Sequence, residues 1–201
     1  MIKRFLSTLI VILGGTASAQ TTYESEILDF QKDLNAEYVN PEESPLTPEE
    51  QKKFEGHQFY PIDSTYKVVA KFVKIKKPKT IKFTTSSGAL KKYDTYAIAE
   101  FKLNGKHFKL PIYQSHTLRE LEEYKDYLFV PFTDYTSGVE TYGAGRYIDL
   151  RIPEGETIII DFNKAYNPFC AYSPNYSCPI PPEDNDLKTE IKAGIYGPEG
   201  H

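Results

Sequence analysis

Apolar and polar positions alternate along most of this chain, and only near its start does the apolar spacing lengthen to that of a helix. Over residues 23–38 the apolar side chains Ile27, Phe30, Leu34 and Tyr38 recur every three or four positions, with acidic and polar residues between them. This places one apolar stripe along an amphipathic helix. A second, short helix is expected after Thr47: the threonine can cap it, Pro48 suits its first position, and Glu50 can close a capping box. It is expected to run to Gly56.

Beyond Gly56 the pattern is that of strands. Segments 66–75, 80–85, 93–103, 106–113, 127–132, 146–152 and 157–162 are rich in Val, Ile, Thr, Tyr and Phe, and turn signals divide them. Asn104-Gly105 is the sharpest of these signals and predicts a tight hairpin between two strands. Leucine and glutamate dominate 118–124, which reads as one helical turn or two. About seven antiparallel strands without alternating helices predict a mainly β fold, an antiparallel β-sandwich or small barrel with two N-terminal helices laid across it.

The first residues change the picture of where the chain resides. Lys3 and Arg4 precede an apolar run at 5–13, and Ala17-Ser18-Ala19 offers a small-residue cleavage site before Gln20. That order of elements is a secretory signal peptide, which predicts a secreted or periplasmic protein. The expected organisation is therefore a signal at 1–19, an amphipathic helix and linker at 20–41, and one β-rich domain at 42–201. No cysteine follows the apolar run to carry a lipid, and no later run is long enough to span a bilayer, so no membrane insertion is expected after cleavage.

Charge excludes one class of partner. The whole chain carries a formal charge of -4, and removing Lys3 and Arg4 leaves 22 basic against 28 acidic residues, or -6. Nucleic acid is not an expected partner, because a basic footprint is needed to neutralise phosphates. The one lysine-rich run, at 74–79, alternates with apolar residues and a proline, as a solvated strand end does.

Candidate chemistry gathers in two loops. Segment 161–187 holds both cysteines and is rich in proline and asparagine, so it reads as a long shaped loop. In an exported chain Cys170 and Cys178 are expected to form a disulfide, with two buried free thiols as the alternative. Their spacing does not match a zinc knuckle, and none of the four histidines is near in sequence. Segment 134–147 packs carboxylates, hydroxyls, glycines and Arg146 into one stretch, suited to an anion or a polyol.

A set of motifs through both loops carries a resemblance. Phe129-Val130-Pro131-Phe132, Thr136-Ser137-Gly138, Glu140-Thr141-Tyr142, Gly145-Arg146-Tyr147, Asp161-Phe162-Asn163, Ala165-Tyr166-Asn167-Pro168, Cys170-Ala171-Tyr172 and Cys178-Pro179-Ile180-Pro181-Pro182 occur in order. Together they resemble a prokaryotic family catalogued as domain of unknown function 1684, over a span from Ser44-Pro45-Leu46 to Ala193-Gly194. Asp186 and Ile195 depart from the family's usual arginine and glutamate. The resemblance implies no particular reaction.

These residues lead to an expected site for a small polar or anionic ligand. Arg146 would contact an anionic or hydroxylated group. Asp134, Thr136, Ser137, Glu140 and Asp161 would orient the ligand or exchange hydrogen bonds with it, and Asn163, Tyr166 and Asn167 would form a wall. No cofactor is expected, and no metal, since the oxygen-bearing residues lack the alternation of a calcium loop. Three alternatives stand beside this: a buried ion-pair network, a hydrolase using a carboxylate pair from the same loops, and a structural or envelope-associated protein. Convergence of Arg146, Asp161 and Glu140 on an open pocket would favour a site, and burial apart would not.

Overall fold

The computed structural model describes residues 15–197, with side chains from Thr22 onward. The expected signal segment falls on residues 1–14, which lie outside the described residues, and on the first turn of the first helix.

That helix, α1 (Gly15–Val39), buries Ile27, Leu34 and Tyr38 and half-buries Phe30, the stripe anticipated from its spacing. The second helix is a correction. Thr47 and Glu50 do form the capping box, but α2 (Pro48–Gln51) is one turn that buries no residue. Without an apolar stripe to bury, nothing extends it, since short helices depend on tertiary packing. Gly56 then turns the chain at φ +104, and the His57 amide donates to Asn35 Oδ1 on α1 at 2.8 Å.

The strands are β1 (Lys67–Lys74), β2 (Thr80–Thr84), β3 (Leu90–Leu103), β4 (Lys106–Ser115), β5 (Tyr127–Asp134), β6 (Arg146–Arg151), β7 (Thr157–Asp161) and β8 (Asp186–Leu187). Asn104 and Gly105, at φ 50 and 78, join β3 to β4, and Leu103 pairs with Lys106 across the turn. This is the expected two-residue hairpin. The segment 118–124 forms two successive 3-10 turns.

All eight strands belong to one sheet, in the path β6-β5-β4-β3-β1-β7, with β2 on β3 and β8 on β5. Every pairing is antiparallel except that of β8. The two ends of the path, β6 and β7, approach each other, so the sheet curls into a half-barrel instead of dividing into a sandwich. The length of β3 accounts for this: its first half pairs with β2 and its second with β1, and a register shift between Thr95 and Ala97 bends it.

The concave face of the half-barrel is the main core, built from residues such as Val68, Ala99, Leu110, Val130, Ile148 and Ile160, and it is closed by Phe162, Leu187, Ile191 and Ala193. A second cluster of Phe83, Tyr93, Tyr113, Phe129 and Tyr147 lies on the other face. Strands β4 and β5 are thus covered on both sides, which explains their unbroken apolar runs. Part of that cover is the two-residue β8, absent from the sequence expectation. It is anchored by Asn185, which accepts from Tyr113 Oη at 2.7 Å and donates to the Pro111 and Pro131 carbonyls at 3.0 and 2.7 Å.

Candidate functional site

The residues expected to share one site separate into three groups, with Glu140 and Asn167 outside all of them. Arg146 starts β6 on its core-facing side and is fully buried. Its guanidinium donates to Asp134 Oδ1 at 3.2 Å and to the carbonyls of Ala193, Ile195 and Ile191 at 2.6, 3.3 and 2.9 Å, and it lies 5.1 Å from the Phe132 ring centroid. Asp134 also accepts from the Ile191 amide at 2.7 Å and from Thr136 Oγ1 at 3.0 and 2.9 Å. Ser137 Oγ accepts from the Asp134 amide at 3.1 Å, and Thr136 Oγ1 contacts Thr141 Oγ1 at 2.9 Å. Burial pulls the Arg146 pKa down while the Asp134 charge opposes it. The pair and its ring of carbonyls tie the segment 191–195 to the end of the sheet. Gly145 permits this closeness: at φ +92, a Cβ there would stand 2.5 Å from the Phe132 carbonyl oxygen.

The second group docks α1. Asp161 caps the 3-10 turn Phe162–Lys164 by accepting from the Asn163 amide at 3.0 Å, and it accepts from Tyr23 Oη at 3.1 and 3.0 Å. Asn163 accepts from the Asp63 amide at 3.0 Å and donates to Tyr23 Oη at 2.9 Å. Glu140 sits apart from both groups, held by Lys192 Nζ at 2.8 Å and Tyr60 Oη at 3.0 Å; the lysine's hydrogen bond lowers its pKa. Arg146, Asp161 and Glu140 therefore do not converge. Asn167 donates to Tyr172 Oη at 3.1 Å inside the α1 cluster, and its Oδ1 has no partner among the described residues.

The third group is Tyr166, and it belongs to a cavity of about 580 Å³ between α1 and the outer side of β6. This volume is in the range of small-molecule sites. Phe30, Asp33, Leu34 and Glu37 of α1 form one wall; Pro168, Phe169 and residues 175–179 form another; Tyr147, Asp149 and Tyr166 form the floor. Of the nine residues expected at the site, Tyr166 alone lines this cavity.

The floor follows from strand geometry. Side chains alternate along a strand, so Arg146 and Ile148 face the half-barrel core while Tyr147 and Asp149 face the cleft. Tyr166 pairs with Tyr147 through two backbone hydrogen bonds at 2.9 and 3.0 Å, which sets its ring beside Asp149. Tyr127 on β5 is the diagonal neighbour of Asp149, because Phe129 is its direct partner. Tyr127 Oη donates to Asp149 Oδ1 at 2.6 Å, and Tyr166 Oη donates to both carboxylate oxygens at 2.9 Å.

Solvent reaches Asp149 through the cleft, yet protein crowds it from the floor. Burial raises its pKa above the usual carboxylate value, against the two tyrosine hydrogen bonds and Arg151. Arg151 forms its own ion pair with Asp126 at 2.7 Å, and among the described residues no ion pair forms to Asp149. Glu37 is also shifted upward, by burial first and then by the charges of Glu43 and Asp149. The one lysine of the lining, Lys91, donates to the Ser177 carbonyl at 2.7 Å. A second, more open cavity of about 570 Å³ shares Asp33, Glu37 and Phe169 and continues past Glu43.

Cys178 lines the cleft, and the expected disulfide is absent: Cys170 and Cys178 are free thiols. The Cys178 Sγ accepts from the Cys170 amide at 3.3 Å, so the sulfur is directed at the start of the 3-10 turn Phe169–Ala171. The hydrogen bond between the thiols lowers the Cys170 pKa to about 6 and raises that of Cys178.

Sequence reading missed Asp149, Glu37, Asp33, Phe30, Lys91 and Phe169 as members of a common site. Asp149 matches an ordinary solvated position in an alternating strand. The signal available was the pair Asp33 and Glu37, four apart beside the apolar stripe of α1. No three His, Cys, Asp or Glu side chains gather as metal ligands among the described residues, and no described helix is long and apolar enough to cross a membrane.

These features define a class: a curled, mainly β half-barrel flanked by one long helix, with a carboxylate-floored cleft between them. The chain belongs to the family described as a protein of unknown function (DUF1684), whose model matches residues 52–196. It is similar to the solution NMR structure of an uncharacterized protein of Haloarcula marismortui, at 31% identity and a TM-score of 0.69, over 90% of this chain and 98% of that one. No curated protein matches the chain.

Proposed function

We propose that the protein is an exported binding domain that takes a small polar ligand into the cleft between α1 and β6. One observation carries this reading: a carboxylate, Asp149, held by two tyrosine hydroxyls and free of any ion pair among the described residues, forms the floor of a cavity of about 580 Å³. Pre-positioned polar groups in an aromatic-walled cavity are what a small-molecule site requires. The export half of the proposal rests on the charged, apolar and small-residue order of residues 1–19. The sealed surroundings of Arg146 support a structural role for that residue and Asp134.

The test is a thermal-shift and NMR screen of amines, sugars, nucleosides and carboxylates. Hits should shift Tyr166 and Tyr127 ring resonances and weaken in Asp149→Asn. Hits that instead perturb residues 134–141 and ignore Asp149 would move the site back to the loops. The raised carboxyls of Glu37 and Asp149 favour a second reading, general acid hydrolysis in the same cleft. Turnover of a glycoside or ester lost in both Glu37→Gln and Asp149→Asn would establish it.

A further inference from the structure

We infer that the ligand is an organic cation, an ammonium compound seated between the aromatic walls with its charge toward Asp149; this rests on the cleft reading above. The polar lining is rich in acceptors and poor in free donors. Asp33, Glu37 and Asp149 supply three carboxylates, and the acidic surface continues to Glu43 in the adjoining cavity. Most of the donors are already committed: Tyr127 and Tyr166 to Asp149, Tyr147 to the Pro179 carbonyl and Lys91 to the Ser177 carbonyl, which leaves the Asn175 side-chain amide and the Tyr176 hydroxyl beside three carboxylates. A sugar needs donors and acceptors in comparable number, and an anion needs more positive charge than the single Lys91 against three carboxylates, so both match this lining less well than a cation does. A ligand that brings its own positive charge does.

The charge has to belong to an organic group. A bare metal ion needs several converging oxygen ligands, and no such group of side chains forms among the described residues. Asp149 already accepts from two hydroxyls, one of them shared between both carboxylate oxygens, so it meets a cation as a charge at the floor more readily than as one of a coordination shell. The rings of Phe30, Tyr166 and Phe169 around it suit alkylated ammonium, whose charge is spread over methyl or methylene groups and is attracted to aromatic faces. A cation there would also offset the cost of keeping the Asp149 carboxylate charged at the cleft floor.

Three probes of one shape and different charge test this: choline, its neutral carbon isostere dimethylbutanol, and the carboxylate dimethylbutanoate. Each is titrated into the purified protein, with binding read by calorimetry and by the ring resonances of Tyr127 and Tyr166. Choline is expected to bind about tenfold more tightly than the neutral isostere, and Asp149→Asn should remove about that factor for choline alone. Glu37→Gln, on the helix side of the cleft, should weaken choline by about threefold, and it keeps the test open should the Asp149 variant fold poorly. If the isostere or the carboxylate binds as tightly as choline at the same tyrosines, the cation inference falls and the cleft reading survives. Should none of the three move those resonances in the folded protein at millimolar concentration, the cation inference falls, and the cleft reading falls with it only if the sugars and nucleosides of the wider screen also leave them unmoved.

Discussion

Two aspartates on opposite sides of one sheet region met opposite fates. Asp134 faces the interior, where the Arg146 guanidinium, a threonine hydroxyl and the Ile191 amide satisfy it, and neither side chain of the ion pair touches solvent. Asp149 lies on the cleft side of β6, where two tyrosine hydroxyls hold it and one flank stays open to the cavity. Both carboxylates are hydrogen-bonded, but Asp134 is sealed from solvent while Asp149 is reached by it through the cleft. The difference is that the first has a buried ion-pair partner and no space beside it, whereas the second has space and no ion pair among the described residues. Chemistry-bearing residue types thus mark the structural centre of this protein as strongly as its candidate site, and only surroundings separate them.

The largest effect should come from breaking the buried pair. Arg146→Met leaves Asp134 charged in the core and three carbonyls unpaired, and is expected to cost about 4 kcal/mol in urea unfolding. Pairing it with Asp134→Leu should recover a large part of that loss; a double variant less stable than Arg146→Met would show that the pair is not the unit. Gly145→Ala ranks next, at about 3 kcal/mol, because its φ is positive and the added Cβ meets a carbonyl oxygen.

Acid should act through the α1 cluster. His57 is packed against the rings of Tyr38, Phe54, Phe59 and Tyr172, with Tyr172 Oη 3.3 Å from its Nδ1, and burial lowers its pKa to about 4. The unfolded chain takes up this proton near pH 6.5 and the folded chain only near 4. Stability is therefore lost as pH falls through that window, by about 3 kcal/mol. His57→Phe should flatten the slope, as followed by melting temperature between pH 7 and 4.

The cleft side should respond least in stability and most in binding. Asp149→Asn is expected to leave unfolding free energy within about 0.5 kcal/mol, in contrast to Asp134. A large destabilisation would make Asp149 a structural residue and remove the contrast. At neutral pH, Cys170 should alkylate ahead of Cys178, since its thiol is held near pKa 6. Replacing Cys178 with alanine should slow that reaction by removing the hydrogen bond that lowers the Cys170 pKa. Peptide mass mapping measures both rates.

Local signals carried much of the fold. The apolar stripe of α1, the Asn104-Gly105 turn and the β-branched runs are short-range patterns, and each formed where its pattern lies. Features that depend on partners distant in sequence were hidden. The capping box at Thr47 could start a helix but not lengthen one. β8 is two residues long and is held by Asn185 against strands far earlier in the chain. Within the site, Tyr166 was visible as an aromatic in a polar loop, whereas Asp149 had nothing local to distinguish it from a solvated strand position.

The amino-acid sequence by itself determined that this chain is mainly β, where its hairpin turns, which stripe of its first helix is buried, and to which family it belongs. Those properties depend on periodicity, turn chemistry and motif order, all of which are local along the chain. Tertiary structure alone decided that one sheet curls on itself, that Arg146 is sealed among carbonyls, and that Asp149 opens onto a cleft walled by α1. Burial and counter-charge are set by what the fold brings from elsewhere, and a residue's own neighbours in sequence do not record them.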